Sequence, residues 1–171
     1  TFLFVNIQTK VPSVKGNTGG KRMYREEIIA IGNAAKAKIE FLKKSPLGYL
    51  LASVLAGMFI GFGILLIFTI GGLLGGASYT KIIMGVSFGI ALSLVVIAGA
   101  ELFTGNNLVM TIGMLEKQVK IGEAVKLWVL CWIGNLAGSV VLALLFTGAG
   151  FAEGAVGEFI AGSALTKMTL P

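Results

Sequence analysis

The sequence contains no histidine, no aspartate and a single cysteine, Cys131, among 171 residues. Catalytic triads and metal sites built on imidazole are therefore excluded, and one cysteine cannot form a disulfide within the chain. Cys131 lies in an apolar segment, where a free cysteine ordinarily packs as a small hydrophobe. No nucleophile–base pair or metal-ligand cluster is apparent, so the sequence predicts that the protein is not an enzyme and carries no cofactor or metal.

Charged residues are also scarce, at 13% of the chain against 56% hydrophobic residues, and the mean hydropathy is +0.90. None occurs in residues 50–80, 82–100 or 127–152. Uncharged apolar runs of this length are typical of membrane-spanning helices. The composition therefore predicts an all-α membrane protein with the lipid bilayer as its surroundings.

The net charge of +6 comes from one end of the chain, because residues 1–49 hold nine Lys or Arg and three Glu. A basic segment before the first span is the positive-inside signal, which predicts a cytoplasmic N-terminus. The charge therefore gives no reason to expect a nucleic-acid partner.

Residues 1–22 precede the first methionine, Met23, and include a polar, glycine-rich stretch typical of a flexible linker. We interpret them as a disordered leader or added extension that does not belong to the fold. Residues 23–46 are predicted to form an amphipathic helix at the cytoplasmic interface. An ordinary solvated helix packed on the bundle is the alternative. The apolar face would hold Ile28, Ile31, Ala35, Ile39 and Leu42.

Three spans are expected, the second of them interrupted. Pairs of glycines four residues apart recur in all three and favour close helix packing. The charged segment 116–126 is predicted to be a cytoplasmic loop, and residues 151–166 are predicted to lie outside. The membrane region is predicted to cover residues 47–171. Its first span is expected at about 47–74, its second at 82–100 and 106–115 on the two sides of the interruption, and its third at 127–148. A fourth helix is expected to start at Lys167.

The interruption lies inside an apolar segment of 34 residues, Ile82–Leu115. As one helix it would be about 51 Å long, whereas the hydrocarbon core of a bilayer is about 30 Å thick. Its middle, Ala98-Gly-Ala-Glu-Leu-Phe-Thr-Gly-Asn-Asn-Leu108, carries a carboxylate, a hydroxyl and two amides. Irregular backbone at this depth is tolerated only where it is buried in protein or lines a cavity. A helix broken at the midplane is one way to build a transport site.

These residues resemble the formate/nitrite transporter family of formate, nitrite and hydrosulfide channels. The most specific element is Ala98–Asn107, which is similar to the loop between the halves of the family's second helix. Trp128 with Ile133-Gly-Asn-Leu-Ala-Gly138 resembles the third helix, and Ser45-Pro-Leu47 resembles the entry to the first. The similarity covers residues 24–171.

The resemblance implies a homopentamer in the inner (cytoplasmic) membrane, in which each multi-pass protomer has its own pore. The expected protomer has an aquaporin-like fold of two inverted repeats of three helices. This sequence would supply the first repeat, whereas the second repeat carries the family's central histidine. We therefore expect a chain of this extent to be a fragment of a conducting protein.

The resemblance also suggests roles for individual residues, each with a simpler alternative. The apolar pore constrictions would be Phe88, Leu92, Leu102 and Phe103, which from the sequence alone are ordinary core residues. Thr104 would bond the passing anion or the central histidine, or else cap nearby backbone. Lys167 would attract anions at the outer vestibule, or else be an interfacial lysine.

We predict both structural and electrostatic roles for the polar residues of the break. Asn106 and Asn107 are predicted to cap the restarting half-helix, whose N-terminal dipole would favour an anion. Glu101 would repel an anion if it lined the path. We therefore expect it to accept N–H bonds as a structural clamp, together with Gly105 at the break, rather than to donate a proton.

The predicted function is passage of small monovalent anions across the membrane. The main alternative is a non-conducting half-length membrane subunit that needs a complementary half. A neutral-solute channel of aquaporin type would share the half-helix architecture but predicts an Asn-Pro-Ala signature, and Thr104-Gly-Asn-Asn107 differs from it.

Overall fold

The computed structural model describes the backbone of residues 19–169 and the side chains of residues 24–169. This part of the chain is entirely helical apart from short connections. Three of its helices are long and apolar enough to cross a membrane: the second, the third and the fifth. The helices are α1 (Gly19–Lys44), α2 (Pro46–Leu73), α3 (Thr80–Ala98), α4 (Phe103–Leu115), α5 (Ile121–Gly148) and α6 (Gly154–Thr169).

Two helices begin earlier than the sequence suggested. Helix α1 begins at Gly19 and so includes the last four residues of the predicted leader; the rest of that prediction lies outside the described residues. Helix α5 begins at Ile121 rather than near Leu127. The backbone N–H of Lys120 donates to the Glu123 carboxylate at 3.1 Å. Glu123 therefore caps the helix start within the charged segment.

Helix α6 corrects a further prediction. A fourth helix was expected to start at Lys167, but α6 begins at Gly154 and Lys167 lies in its last turn. The segment contains no proline, so its backbone can form helical hydrogen bonds throughout. It also packs on α2, where the Phe159 and Phe68 ring centroids are 6.1 Å apart. This contact stabilises a helix that its small, polar composition alone did not indicate.

Helix α1 packs on the bundle through the C-terminal part of its apolar face. Ala35, Ile39 and Leu42 are buried in one cluster with Met110 of α4 and Leu127 of α5. The face is less covered towards its start, where Ile28 is exposed. The alternative prediction, a helix packed on the bundle, therefore describes this half of α1.

Helices α2 and α5 approach so closely that their backbones touch. A methyl group added at Gly57 would overlap the backbone carbonyl of Asn135, and one added at Gly138 would overlap that of Val54. Only glycine fits at such contacts, as the four-residue spacing predicts. The equivalent pair on α3, Gly85–Gly89, has nothing within 4 Å of added methyl groups in the described structure.

This contact makes a testable prediction for stability. Replacing Gly138 by Ala should force α2 and α5 apart and destabilise the protein by about 3 kcal/mol, because backbone atoms cannot move aside as a flexible side chain can. Thermal unfolding in detergent measures the effect. Gly122→Ala is the matched control, since an added methyl there meets nothing within 4 Å. Equal melting temperatures for the two variants would contradict the close packing.

Candidate functional site

The break between α3 and α4 is a four-residue connection, Gly99–Leu102. Helix α3 ends with Gly99 in the left-handed conformation, at φ 62°. This geometry lets the Gly99 and Ala100 amides donate to the carbonyls of Val96 and Val95, at 3.2 and 3.0 Å. A residue with a side chain is strained at such a φ, so glycine suits this stop. Helix α4 restarts directly at Phe103 after an extended Leu102.

Backbone groups of the break are satisfied by the two neighbouring spans. The Glu101 amide donates to the carbonyl of Ala52 on α2 at 3.2 Å. The Asn135 side chain on α5 accepts from the Phe103 amide at 2.9 Å and donates to the Glu101 carbonyl at 2.9 Å. It also donates to the Ser53 carbonyl at 2.8 Å. One amide side chain therefore joins α2, α5, the interruption and the start of α4.

The Glu101 carboxylate is buried, with 6% of the residue exposed. Lys38 of α1 reaches it, with Nζ 2.7 Å from Oε1 and 2.6 Å from Oε2. The Asn106 side-chain amide donates to Oε2 at 2.9 Å. A buried carboxylate needs such a counter-charge and hydrogen bonds, because desolvation of an unpaired charge costs several kcal/mol. The Glu101 carboxylate therefore accepts an amide N–H bond and pairs with a lysine that was not anticipated. Its role as a structural clamp stays a prediction.

Asn106 is the centre of a buried polar cluster. Its Nδ2 lies 2.9 Å from the Tyr49 hydroxyl and 3.3 Å from the Cys131 sulfur. Its backbone carbonyl accepts from the Trp128 indole N–H at 3.2 Å. The Cys131 thiol donates in turn to the Glu101 carbonyl at 3.2 Å. Cys131 is thus buried, as predicted, but it is also a hydrogen-bonding member of the cluster.

The assignment of Asn106 and Asn107 as helix caps is wrong. Helix α4 starts at Phe103, so both lie inside the helix, and the Asn106 amide bonds the Leu102 carbonyl at 3.0 Å. Helix α4 starts earlier than predicted because the Asn135 side chain, which lies outside this segment, accepts a hydrogen bond from its first amide. A side chain on α5 therefore replaces the local cap that the asparagines were expected to provide.

The predicted constriction residues fall into two groups. The Phe88 ring packs near Gly63 of α2, and Phe103 lines a groove with Trp128 on α5. Leu92 is 58% exposed and Leu102 is half-buried. Phe88 and Phe103 thus contact neighbouring helices, whereas Leu92 is open in the described structure.

Residues at the start of α4 combine exposure with free donor groups. Thr104 and Gly105 are both exposed. Amides in the first turn of a helix have no partner one turn earlier, and here Asn135 occupies only that of Phe103. The positive end of the helix dipole lies at the same place. The arrangement can accept an anion, because Lys38 compensates the adjacent Glu101 charge.

Lys167 is exposed in the last turn of α6. Within the described residues, α6 packs against α2 rather than against the break. Lys167 is therefore separate from the Glu101–Asn106 cluster.

Comparison with known proteins gives the family. A model described as formate/nitrite transporter matches residues 25–171. The chain belongs to the formate/nitrite transporter family. Members of this family are membrane transporters and channels, not enzymes.

The relatives that this chain matches are considerably longer than the chain itself. Nitrite transporter NirC of Salmonella typhimurium is 44% identical over 128 residues, which cover 74% of this chain and 47% of that protein. A probable formate transporter of Methanothermobacter thermautotrophicus is 42% identical over 115 residues, covering 64% and 42% respectively. The chain therefore spans about half the length of the curated relatives it matches.

A solved structure described as an FNT family ion channel has the same helical arrangement. It aligns with a TM-score of 0.80 and 37% identity, covering 86% of this chain and 59% of that one. The chain is thus an all-helical membrane protein whose described structure matches a channel of its family.

Several residues of the site were not predicted. Lys38 was one of several lysines on the polar side of α1, and nothing in its spacing marked it as the partner of Glu101. Cys131 was interpreted as a small hydrophobe, Asn135 was noted only within a glycine motif, and no role was assigned to Tyr49. A buried carboxylate requires a partner such as a cation. That requirement was the one sign in the sequence that Glu101 has a basic partner, and it could not show which lysine this is.

The Glu101–Lys38 pair makes a stability prediction. Glu101→Gln should lower the free energy of unfolding by about 2 kcal/mol, because it leaves a partly buried ammonium without a counter-charge. Removing both charges, with Lys38→Met added, should recover part of the loss. Thermal unfolding in detergent is the measurement, with Glu123→Gln as the control for an exposed ion pair. If Glu101→Gln and Glu123→Gln lower the melting temperature equally, the buried ion pair contributes no more to stability than the exposed one, and the prediction is wrong.

Proposed function

We propose that this chain forms half of a pore that passes small monovalent anions, of the formate, nitrite or hydrosulfide type, across the cytoplasmic membrane. The observation that carries the proposal is the start of α4. Exposed Thr104 and Gly105 present a hydroxyl and first-turn amides there, beside a carboxylate whose charge Lys38 compensates. Such a site attracts an anion without a fixed positive charge in its path.

Selectivity would come from apolar side chains beside this site. Leu92 and Leu102 are the candidates with exposed or half-exposed side chains. Phe88 of α3, which packs on α2, and Phe103 of α4, which lies beside α5, would support the wall. A narrow apolar passage strips or dewets an ion and excludes large solutes. Asn106 contributes by bonding Tyr49 and Glu101, which holds the half-helix in place. Asn107 and Gly105 lie beside the same site in the first two turns of α4. Lys167 would raise the local anion concentration at the outer end.

The membrane orientation is supported by where the charges lie. Lys43 at the end of α1 bonds Glu123 at the start of α5, so the two basic segments lie at the same end of the structure. By the positive-inside rule this end faces the cytoplasm, and the N-terminus lies there too. A homopentamer with a pore in each protomer is the assembly that the family resemblance supports.

The rest of the pore would come from a second repeat of inverted orientation. One stripe of α3 is open in the described structure: Gly85, Gly89, Leu92 and Val96 are all exposed. The same feature supports the alternative, a non-conducting subunit that needs a complementary half. Neither predicts anion flux from this chain alone in liposomes. They differ once a complementary half is added, because the proposal predicts a flux that depends on residues of this chain's helix break, whereas a non-conducting subunit predicts a flux that does not.

The hydroxyl at the break can be tested directly. Thr104→Val should reduce formate and nitrite flux into proteoliposomes about tenfold, because a hydrogen bond to a charged group is worth about 1.5–3 kcal/mol. Thr104→Ser should retain the flux. The assay uses the pore-forming assembly that contains this chain. Thr166→Val is the matched control, since that exposed hydroxyl bonds its own helix carbonyl.

Different outcomes reject different parts of the proposal. Unchanged flux in Thr104→Val would remove this hydroxyl from the pathway. Flux of glycerol or water, with none of formate, nitrite or hydrosulfide, would favour the aquaporin-type alternative and reject anion passage.

A further inference from the structure

We propose that a cleft between α1 and α5 binds an anionic phospholipid, with the lipid phosphate between Lys43 and Lys126 and an acyl chain in the adjoining apolar groove along α5. The cleft is lined by no residue of the helix break, whereas the groove reaches Phe103, the first residue of α4. A lipid site here goes beyond anion passage and does not depend on it.

The polar end of the site is a cleft of about 60 Å³. Its wall holds two ammonium groups and one carboxylate, so the local charge is positive. The apolar base comes from α1, where two nearly buried side chains contribute. The lining residues are Ile39, Leu42, Lys43, Glu123 and Lys126.

Glu123 positions one of the two ammonium groups and leaves the other available. Its carboxylate pairs with Lys43 at 2.5 Å and also accepts from the Lys120 amide at 3.1 Å. Lys126 is exposed and enters neither of the ion pairs formed among residues 24–169. Because α5 begins nearby at Ile121, its N-terminal dipole adds to the positive potential. A phosphodiester placed here would meet uncompensated positive charge.

The apolar end of the site is a groove of about 400 Å³ along α5. It is lined by Phe103 of α4 and by Val125, Trp128, Val129, Trp132 and Ile133 of α5. The Trp128 indole N–H already donates a hydrogen bond to the Asn106 carbonyl. The walls therefore present ring and aliphatic surface, which suits a hydrocarbon chain rather than a polar ligand.

Lys126 and one edge of the groove lie on one stripe of α5. Val129 and Ile133 follow Lys126 by three and seven residues, on the same side of the helix. At 1.5 Å per residue, Ile133 is about 10 Å further along the axis. A cation at the membrane surface is thus followed by apolar surface running into the bilayer, in the order of a phospholipid headgroup and its chain. Basic pockets between helices on the cytoplasmic side are the sites that anionic headgroups occupy.

The test compares two lipids with identical acyl chains. The full chain is purified in mild detergent with phosphatidylglycerol or phosphatidylcholine, and native mass spectrometry counts the retained lipid. We expect about fivefold more phosphatidylglycerol than phosphatidylcholine, and loss of this preference in Lys126→Gln. Lys36→Gln is the matched control, because it removes the same charge from an exposed position of α1 outside the cleft. Equal retention of both lipids, or an equal loss in both variants, would overturn the proposal.

A second variant should change retention in the opposite direction. Glu123→Gln keeps a hydrogen-bonding side chain at the helix start but frees Lys43, so phosphatidylglycerol retention should rise several-fold. A decrease would overturn the assigned charge arrangement. Circular dichroism of each variant checks that helical content is kept.

Two competitors distinguish a lipid from a free anion. Inorganic phosphate and glycerol phosphate, at millimolar concentration, should not displace the lipid because they cannot use the groove. Displacement by either would show that the cleft binds phosphate groups alone, and the lipid assignment would fail.

Discussion

A helix interrupted at membrane depth exposes backbone N–H and C=O groups that hydrocarbon cannot satisfy. In this chain, side chains and carbonyls from other helices meet that requirement. Ala52 and Asn135 bond the backbone of the interruption, and Asn106 bonds the adjacent carboxylate. The packing of the described helices follows from it, because α2 and α5 must lie close enough for one amide to reach both. The break is therefore a fixed, hydrogen-bonded junction.

The glycine contacts and the polar junction depend on each other. Gly57 and Gly138 allow α2 and α5 to touch, and this brings Asn135 within 2.8 Å of the Ser53 carbonyl and 2.9 Å of the Glu101 carbonyl. A separation larger by the width of one methyl group would break these bonds. In a bilayer, lipid tails compete equally for apolar surface, so close packing and hydrogen bonds must supply the specificity that hydrophobic burial supplies in water.

Periodicity and local chemistry predicted the features that depend on neighbouring residues in the chain. The spans, the interruption near Gly99 and the family followed from uncharged runs and from one motif. The start of α4 did not, because its first amide is satisfied by Asn135, more than thirty residues later. Lys38 was missed for the same reason, since its partner Glu101 is 63 residues away. Long-range polar pairing has no period that a sequence pattern can reveal.

The helix α6 illustrates a different limit. Its segment is rich in glycine and small residues, which favour loops, and it becomes helical where Phe159 packs on α2. Tertiary contact outweighs propensity when the intrinsic preference is worth only tenths of a kcal/mol per residue. The buried, strongly periodic parts of the chain are thus predictable, and the parts stabilised by one or two distant contacts are not.

The position of Asn135 imposes an order on biogenesis. Ribosomal synthesis makes Lys38 and Ala52 before Glu101, so these partners of the interruption are already part of the chain when it emerges. Asn135 follows Glu101 by 34 residues. At 5–20 residues per second, it is made roughly 2–7 s later. During that interval the Glu101 carbonyl and the Phe103 amide lack their shared partner, and the nascent chain must hold an incompletely bonded break at the translocon until α5 arrives.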